Sequence, residues 1–187
     1  MQTESLTNGA ALLRGFATTE APVLVGVVNE VAALAPFRHM TTPGGFQMSV
    51  AMTNCGAAGW VSDRKGYRYD SNDPLTGLPW PALPELFLSL ADRAAAAGGF
   101  TNFAPDACLI NRYRPGSRLT LHQDKDERDF TQPIVSVSLG LPAVFLFGGS
   151  TRADRPRRIP VQSGDIAVWG GPARLAFHGV APLAQGS

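Results

Sequence analysis

The chain has only three histidines, His39, His122 and His178. One of them stands two positions before an aspartate in Leu119-Thr120-Leu121-His122-Gln123-Asp124. Residues two apart on an extended strand point to the same face, so His122 and Asp124 can act as neighbouring ligands of one metal ion. His178 lies in a later apolar stretch, "LAFHGV", which a barrel can fold back opposite the first pair.

Two imidazoles and one carboxylate on one face of an octahedron leave three positions open, the arrangement associated with non-haem Fe(II) oxygenases. Each part is weak alone. An H-x-D triplet arises by chance, and a histidine on an apolar strand is commonly a hydrogen-bonded core residue. The acids that follow, Asp124, Asp126, Glu127 and Asp129, read as a solvated loop. Their joint placement on early and late strands of one barrel is the stronger signal.

The elements that must position these residues are legible in outline. Residues 21–35 read as a helix, with Thr19 as a cap and Pro36 stopping it. Residues 84–97 read as a second helix, with Pro84 in the first turn, Glu85 favouring the dipole and Gly98-Gly99 ending it. Between them, residues 38–80 are rich in Gly, Pro, Asn and aromatics and suggest a loop-built surface. From residue 105 onward, short apolar runs alternate with turn residues at the spacing of a β-sandwich or barrel. In "IVSVSLG", Val135, Val137 and Leu139 share one face, opposite Ser136 and Ser138. The expected fold is mainly β with flanking helices (α+β): a jelly-roll barrel over about 105–187 with the helices packed outside.

Composition sets the boundaries. With 187 residues, 44% of them hydrophobic, one domain is expected. A charged fraction of 17% and a net charge of +1 exclude a globally basic surface. The polar start "MQTESLTNG" lacks a secretory pattern, and no apolar run reaches membrane-spanning length. The two cysteines, Cys55 and Cys108, form no CxxC pair and read as reduced thiols of a cytoplasmic protein, with a disulfide left open.

Longer segments are far more specific than the triplet. "TPGGFQMSVAMTNCG", "PDACLINRYRPGSRLTLHQDKDE", "PIVSVSLGLPAVFLFGG" and "SGDIAVWGGPARLAFHGV" strongly resemble the AlkB family of Fe(II)- and 2-oxoglutarate-dependent nucleic-acid demethylases. The likeness runs over about residues 12–183. It implies a double-stranded β-helix with a nucleotide-recognition lid over about 38–80, all within one catalytic domain spanning 1–187. It implies that His122, Asp124 and His178 bind iron, and that Asn111 and Tyr113 hold the cosubstrate 2-oxoglutarate. Trp60 and His122 resemble the pair that stacks a damaged base, and Asp126 the carboxylate that reads its exocyclic amine. Tyr67, Tyr69 and Arg152 resemble groups that hold the strand. The implied reaction uses dioxygen to demethylate bases such as 1-methyladenine and 3-methylcytosine in DNA, preferably single-stranded, or in RNA. Formaldehyde, succinate and carbon dioxide are released. A monomer is expected.

From the residues alone, other readings stay open. Trp60 suits ordinary packing, Asp126 is one more exposed acid, and "TRADRPRR" is equally a solvated hairpin or a phosphate-binding patch. The family continues past its histidine strand into one with an Arg-x-Asn-x-x-x-Arg pattern, whose arginines pair with 2-oxoglutarate. No such pattern follows His178 here, so a missing last barrel strand and an exposed sheet edge are expected. With them comes the alternative of a truncated module that binds alkylated nucleic acid without turnover. A small-molecule oxygenase on the same barrel is a third reading.

Overall fold

The apolar stretches after residue 105 do become strands, and the chain's beginning supplies two more that the sequence reading left unassigned. The computed structural model describes residues 2–184. The chain runs β1 (Gln2–Thr7), β2 (Ala10–Arg14), α1 (Ala21–Leu34), β3 (Arg38–Thr41), β4 (Gln47–Gly56), β5 (Gly59–Asp63) and β6 (Gly66–Asp70). It continues through α2 (Glu85–Ala97), β7 (Ala107–Arg112), β8 (Leu119–His122), β9 (Ile134–Val137), β10 (Ala143–Phe147) and β11 (Arg157–Val161). β12 (Ile166–Trp169), a single 3₁₀ turn (Gly171–Ala173) and β13 (His178–Val180) complete it.

Two four-stranded antiparallel sheets form the centre, in the orders β1-β2-β12-β9 and β11-β10-β13-β8. Leu12, Ala167 and Trp169 of the first meet Phe145, Phe147, Ile159 and Val161 of the second in one buried cluster. The sheets therefore face each other as a jelly roll. Leu13, Ile166 and Val168 alternate to the other side, where Leu24 of α1 and Leu90 and Ala94 of α2 cover them. β12 is buried on both faces, which is why Ile-Ala-Val-Trp carries no polar residue. Each large apolar side chain so enclosed contributes roughly 1.5–3 kcal/mol.

The helices hold, with shifted ends. α1 follows Glu20 rather than Thr19 and has no side-chain cap, whereas α2 starts after Pro84 as N-cap and ends at Gly98. Among the described residues, the jelly roll is not closed into a barrel. β7 pairs with β4 in a separate sheet of order β3-β4-β7, and β9 is an edge strand among the described residues. The ladder from Ala51↔Arg112 to Gly56↔Ala107 draws β7 to β4 along its whole length. The expectation of a missing last barrel strand falls outside the described residues.

The expectation of a loop-built surface over 38–80 is corrected at β4. Val50, Met52 and Cys55 are buried there, and so are Thr53 and Asn54. Those two polar side chains are tolerated because they are satisfied. Thr53 Oγ1 donates to Ala35 O at 2.6 Å, and Asn54 makes reciprocal bonds with the Trp60 backbone, both at 3.0 Å. The Gly- and Pro-rich composition belongs to the turns between strands, which hid the buried strand from a composition argument. Cys55 and Cys108, distant in sequence, are directly opposed across β4 and β7 as free thiols. Cys108 as a hydrogen-bonding neighbour, together with burial, pushes the Cys55 thiol up, so it stays protonated. Among the described residues, no helix is long and apolar enough to cross a membrane.

Candidate functional site

The register of β13 against β8 pairs His178 directly with His122, and their ring centroids lie 4.4 Å apart. Asp124 sits just past the end of β8, in the loop rather than on the strand the sequence reading gave it. Its carboxylate nevertheless reaches both rings, 3.6 Å from His122 Nε2 and 3.5 Å from His178 Nε2. One donor atom from each of the three residues lies within 4.8 Å of the others. His39 is exposed, bonds Met48 O through Nδ1 at 2.9 Å, and takes no part.

Strand geometry also sets the tautomers. His122 Nδ1 lies 2.8 Å from Thr120 O, and His178 Nδ1 lies 3.0 Å from Ala176 O. A carbonyl only accepts, so both Nδ1 atoms carry hydrogen and both Nε2 atoms turn toward Asp124. Burial, then the neighbouring charge of His178, holds the His122 pKa below its ordinary value, against the pull of Asp124. For Asp124, burial opposes ionisation, but His178, His122 and Arg174 outweigh it and the net shift is downward. Neutral His122 beside an ionised Asp124 is the state that ligates a metal without first shedding a proton.

An Fe(II) ion fits this set, because the three converging donor atoms bring negative charge and lone pairs to one point. Asn111 adds a second sign of fit. It lies on β7, and its Oδ1 is buried with no hydrogen-bond partner. Tyr113, one turn of the pleat further on, packs against the Met40, Val50 and Met52 cluster. Burial raises its pKa, so the phenol stays protonated and able to donate to an anionic ligand.

Gly179 is what lets β13 lie so close. A Cβ there would sit 2.5 Å from Leu119 O and 3.1 Å from the Thr120 carbonyl carbon, at the point where the ladder shifts register. Gly179→Ala is expected to push β13 off β8 and weaken Fe(II) binding about 10-fold or more, as misplaced ligand supports do. Metal titration of the apoprotein measures this, and unchanged affinity would show that the strand has slack to absorb the methyl group.

A second constellation stands beside the first. On the β5–β6 hairpin, Trp60 and Tyr67 stack with centroids 5.6 Å apart and planes 14° from parallel. Trp60 Nε1 donates to Asp126 Oδ2 at 2.8 Å, and Tyr69 Oη donates to Glu127 Oε1 at 3.0 Å. The hairpin is thus fastened to the loop that begins at the metal-site aspartate. Arg152 donates to Leu121 O at 3.0 Å, one residue from His122. With Arg118 and Arg158 it lines a groove of about 380 Å³ floored by Leu121, Leu146 and Val180. Arg157, from the same basic run, is spent on the fold, donating to Leu6 O at 2.8 Å.

Sequence reasoning missed Arg174 and Glu127. Arg174 is buried, and it donates to the backbone carbonyls of both Asp124 and Gln132. The available signal was a lone arginine inside the otherwise apolar approach to His178, in "GPARLAFHG". Glu127 was hidden among other acids.

A jelly roll presenting two histidines from paired strands and one aspartate from the adjoining loop defines a mononuclear non-haem iron enzyme. The comparisons narrow this further. Residues 9–187 match the model of the 2OG-Fe(II) oxygenase superfamily. The chain is 56% identical over 183 residues to the alpha-ketoglutarate-dependent dioxygenase AlkB of Escherichia coli, covering 98% of this chain and 85% of that one. It is 36% identical over 121 residues to the human nucleic acid dioxygenase ALKBH1, covering 65% of this chain and 31% of that one. A solved structure of OsALKBH1 superposes with a TM-score of 0.81 at 28% identity, over 97% of this chain and 88% of the other. The chain belongs to the 2OG-Fe(II) oxygenase superfamily. It is a dioxygenase that uses Fe(II), 2-oxoglutarate and dioxygen.

Proposed function

We propose that this enzyme repairs nucleic acid directly, by oxidative demethylation of N-alkylated bases such as 1-methyladenine and 3-methylcytosine. DNA, with single strands preferred, is the expected substrate, and RNA is a second one. The observation that carries this reading is the joining of two constellations. Trp60, stacked on Tyr67, donates its indole N–H to Asp126 in the loop that carries Asp124, so an aromatic pair and a carboxylate stand beside the metal ligands.

Each residue has a defined task. His122, Asp124 and His178 hold the metal, and Asn111 and Tyr113 receive 2-oxoglutarate. A methylated base cannot reach a buried metal while stacked in a duplex, so it is extruded or taken from a single strand. Trp60 offers its face to the flat ring opposite His122. Asp126, already held by the indole N–H at 2.8 Å, exchanges that donor for the exocyclic amine of the base. Its negative charge favours bases made cationic by methylation. Tyr67, Tyr69 and Arg152 hold the flanking strand, and the basic groove beside β8 suits phosphates. When bound, Fe(II), 2-oxoglutarate and dioxygen supply the oxidation that releases the N-methyl group as formaldehyde, with succinate and carbon dioxide as coproducts. The protein's part is to place the methyl carbon and exclude water.

Residues 38–80 serve as the recognition lid and 105–187 as the catalytic core of one domain, working as a cytoplasmic monomer. The assembled His-Asp-His set favours turnover over the binding-only alternative. The test is formaldehyde release from methylated single-stranded DNA by purified protein with Fe(II) and 2-oxoglutarate. None released, with succinate formed on small substrates instead, would move the activity to another substrate class. Trp60→Ala is expected to raise KM for the methylated strand about 5- to 150-fold, the equivalent of about 1–3 kcal/mol for one stacked base. An unchanged KM would leave Trp60 as packing only.

A further inference from the structure

We propose that Arg174 is a positioning residue that fixes the loop between β8 and β9 and, through Glu127, couples the metal site to the β5–β6 hairpin. This rests on the reading of His122, Asp124 and His178 as iron ligands. The guanidinium is only 4% exposed, and a buried cation is costly unless its donors find partners. All of its partners lie in one short segment. Nε donates to Gln132 O at 2.9 Å, Nη1 donates to Asp124 O at 2.8 Å, and Nη2 lies 3.3 Å from Glu127 Oε2. Its plane also lies over the Phe130 ring, 5.3 Å from the centroid.

The loop needs such a clamp. Among the described residues, no backbone–backbone hydrogen bond ties residues 123–133 to a neighbour, although they carry Asp124 and Asp126. Gln123 closes the contact from the other side, its Nε2 donating to Leu175 O at 2.7 Å. Arg174 and Leu175 belong to the approach to His178, so one turn leads to the third ligand and grips the backbone of the second. A planar fork can hold two carbonyls and a carboxylate at once, whereas a lysine ammonium on a flexible stem cannot match that geometry.

The other half of the link is Glu127. One of its oxygens accepts from Tyr69 on β6 at 3.0 Å, and the other is buried, has no aligned donor and faces the charge of Arg174. Tyr69 remains protonated, its pKa raised by burial first and by the Glu127 charge second. A shift of the hairpin is therefore carried through one half-buried acid to the arginine that holds the Asp124 backbone.

The experiment compares wild type, Arg174→Lys, Tyr69→Phe and the double variant. Arg174→Lys is expected to lower Fe(II) affinity about 10- to 100-fold, as loss of a ligand's support does. In metal-free protein, trypsin cleavage after the exposed Lys125 and Arg128 should become about 10-fold faster as the loop is released. Tyr69→Phe should speed the same cleavages and raise KM for the methylated strand more than it lowers kcat. If the link runs through Glu127, the double variant is no worse in KM than the poorer single variant. Wild-type affinity and cleavage in Arg174→Lys would overturn the clamp, and additive KM effects would overturn the coupling. The proteolysis contrast needs neither iron nor DNA, so it stands even if wild type releases no formaldehyde.

Discussion

Asp124→Ala is expected to abolish iron-dependent turnover, with succinate formation falling by about 10³-fold or more. Asp124 supplies the only carboxylate of the three-residue set and reaches both imidazoles, at 3.6 and 3.5 Å. Its removal leaves two imidazoles and no carboxylate to offset a divalent cation. A bound metal supplies several kcal/mol at the reacting centre, and each 1.36 kcal/mol is a factor of ten in rate. The fold should tolerate the change. The side chain is half-buried at the end of a strand, and its backbone carbonyl still receives the Arg174 hydrogen bond. The decisive pair of measurements is Fe(II) titration and succinate release on a variant with an unchanged melting temperature. Full turnover in that variant would place the metal elsewhere.

Trp169→Ala is expected to be the most destabilising single truncation in the core, at about 3–5 kcal/mol. The indole is 2% exposed and touches Phe145 and Phe147, each with its ring centroid 5.9 Å away, as well as His178 at 4.7 Å. It therefore joins the two sheets at the level of the metal site. For a domain of this size, about 2–4 °C per kcal/mol translates the loss into a fall of about 6–20 °C in Tm. Fe(II) affinity should fall as well, because the cavity frees the His178 ring to turn. Trp169→Phe should cost clearly less, since it also removes an indole N–H that is buried with no partner. Equal losses for the two substitutions would mean that the ring contacts do not determine stability here.

Residue type and short-range pattern were enough to find His122, Asp124 and His178 and to read "IVSVSLG" as a strand. The same pattern placed both helices to within a residue or two, while the family came from the resemblance of longer segments. Val135 and Val137 do pack under the helices as their alternation requires, with Ile134 on the other face. These properties are local: a strand's two-residue period and a ligand's chemistry are written in adjacent letters.

Pairing between distant segments was not legible. Nothing in "QTESLT" announces that the β1–β2 hairpin will extend the sheet of β12, because its pairing energy comes from Leu12 and Leu13 meeting residues far along the chain. Cys55 and Cys108 look unrelated until β4 and β7 align. Arg174 looks like an ordinary charge until the fold removes water from around it and leaves two carbonyls and Glu127 as its partners. The sequence by itself thus singled out three side chains that could share a metal ion and put the two histidines on strands, but not Asp124 in its loop. Only the tertiary structure decided which of them face one another and what holds them there, because contacts between remote segments depend on register and desolvation, and neither is a property of any short stretch of chain.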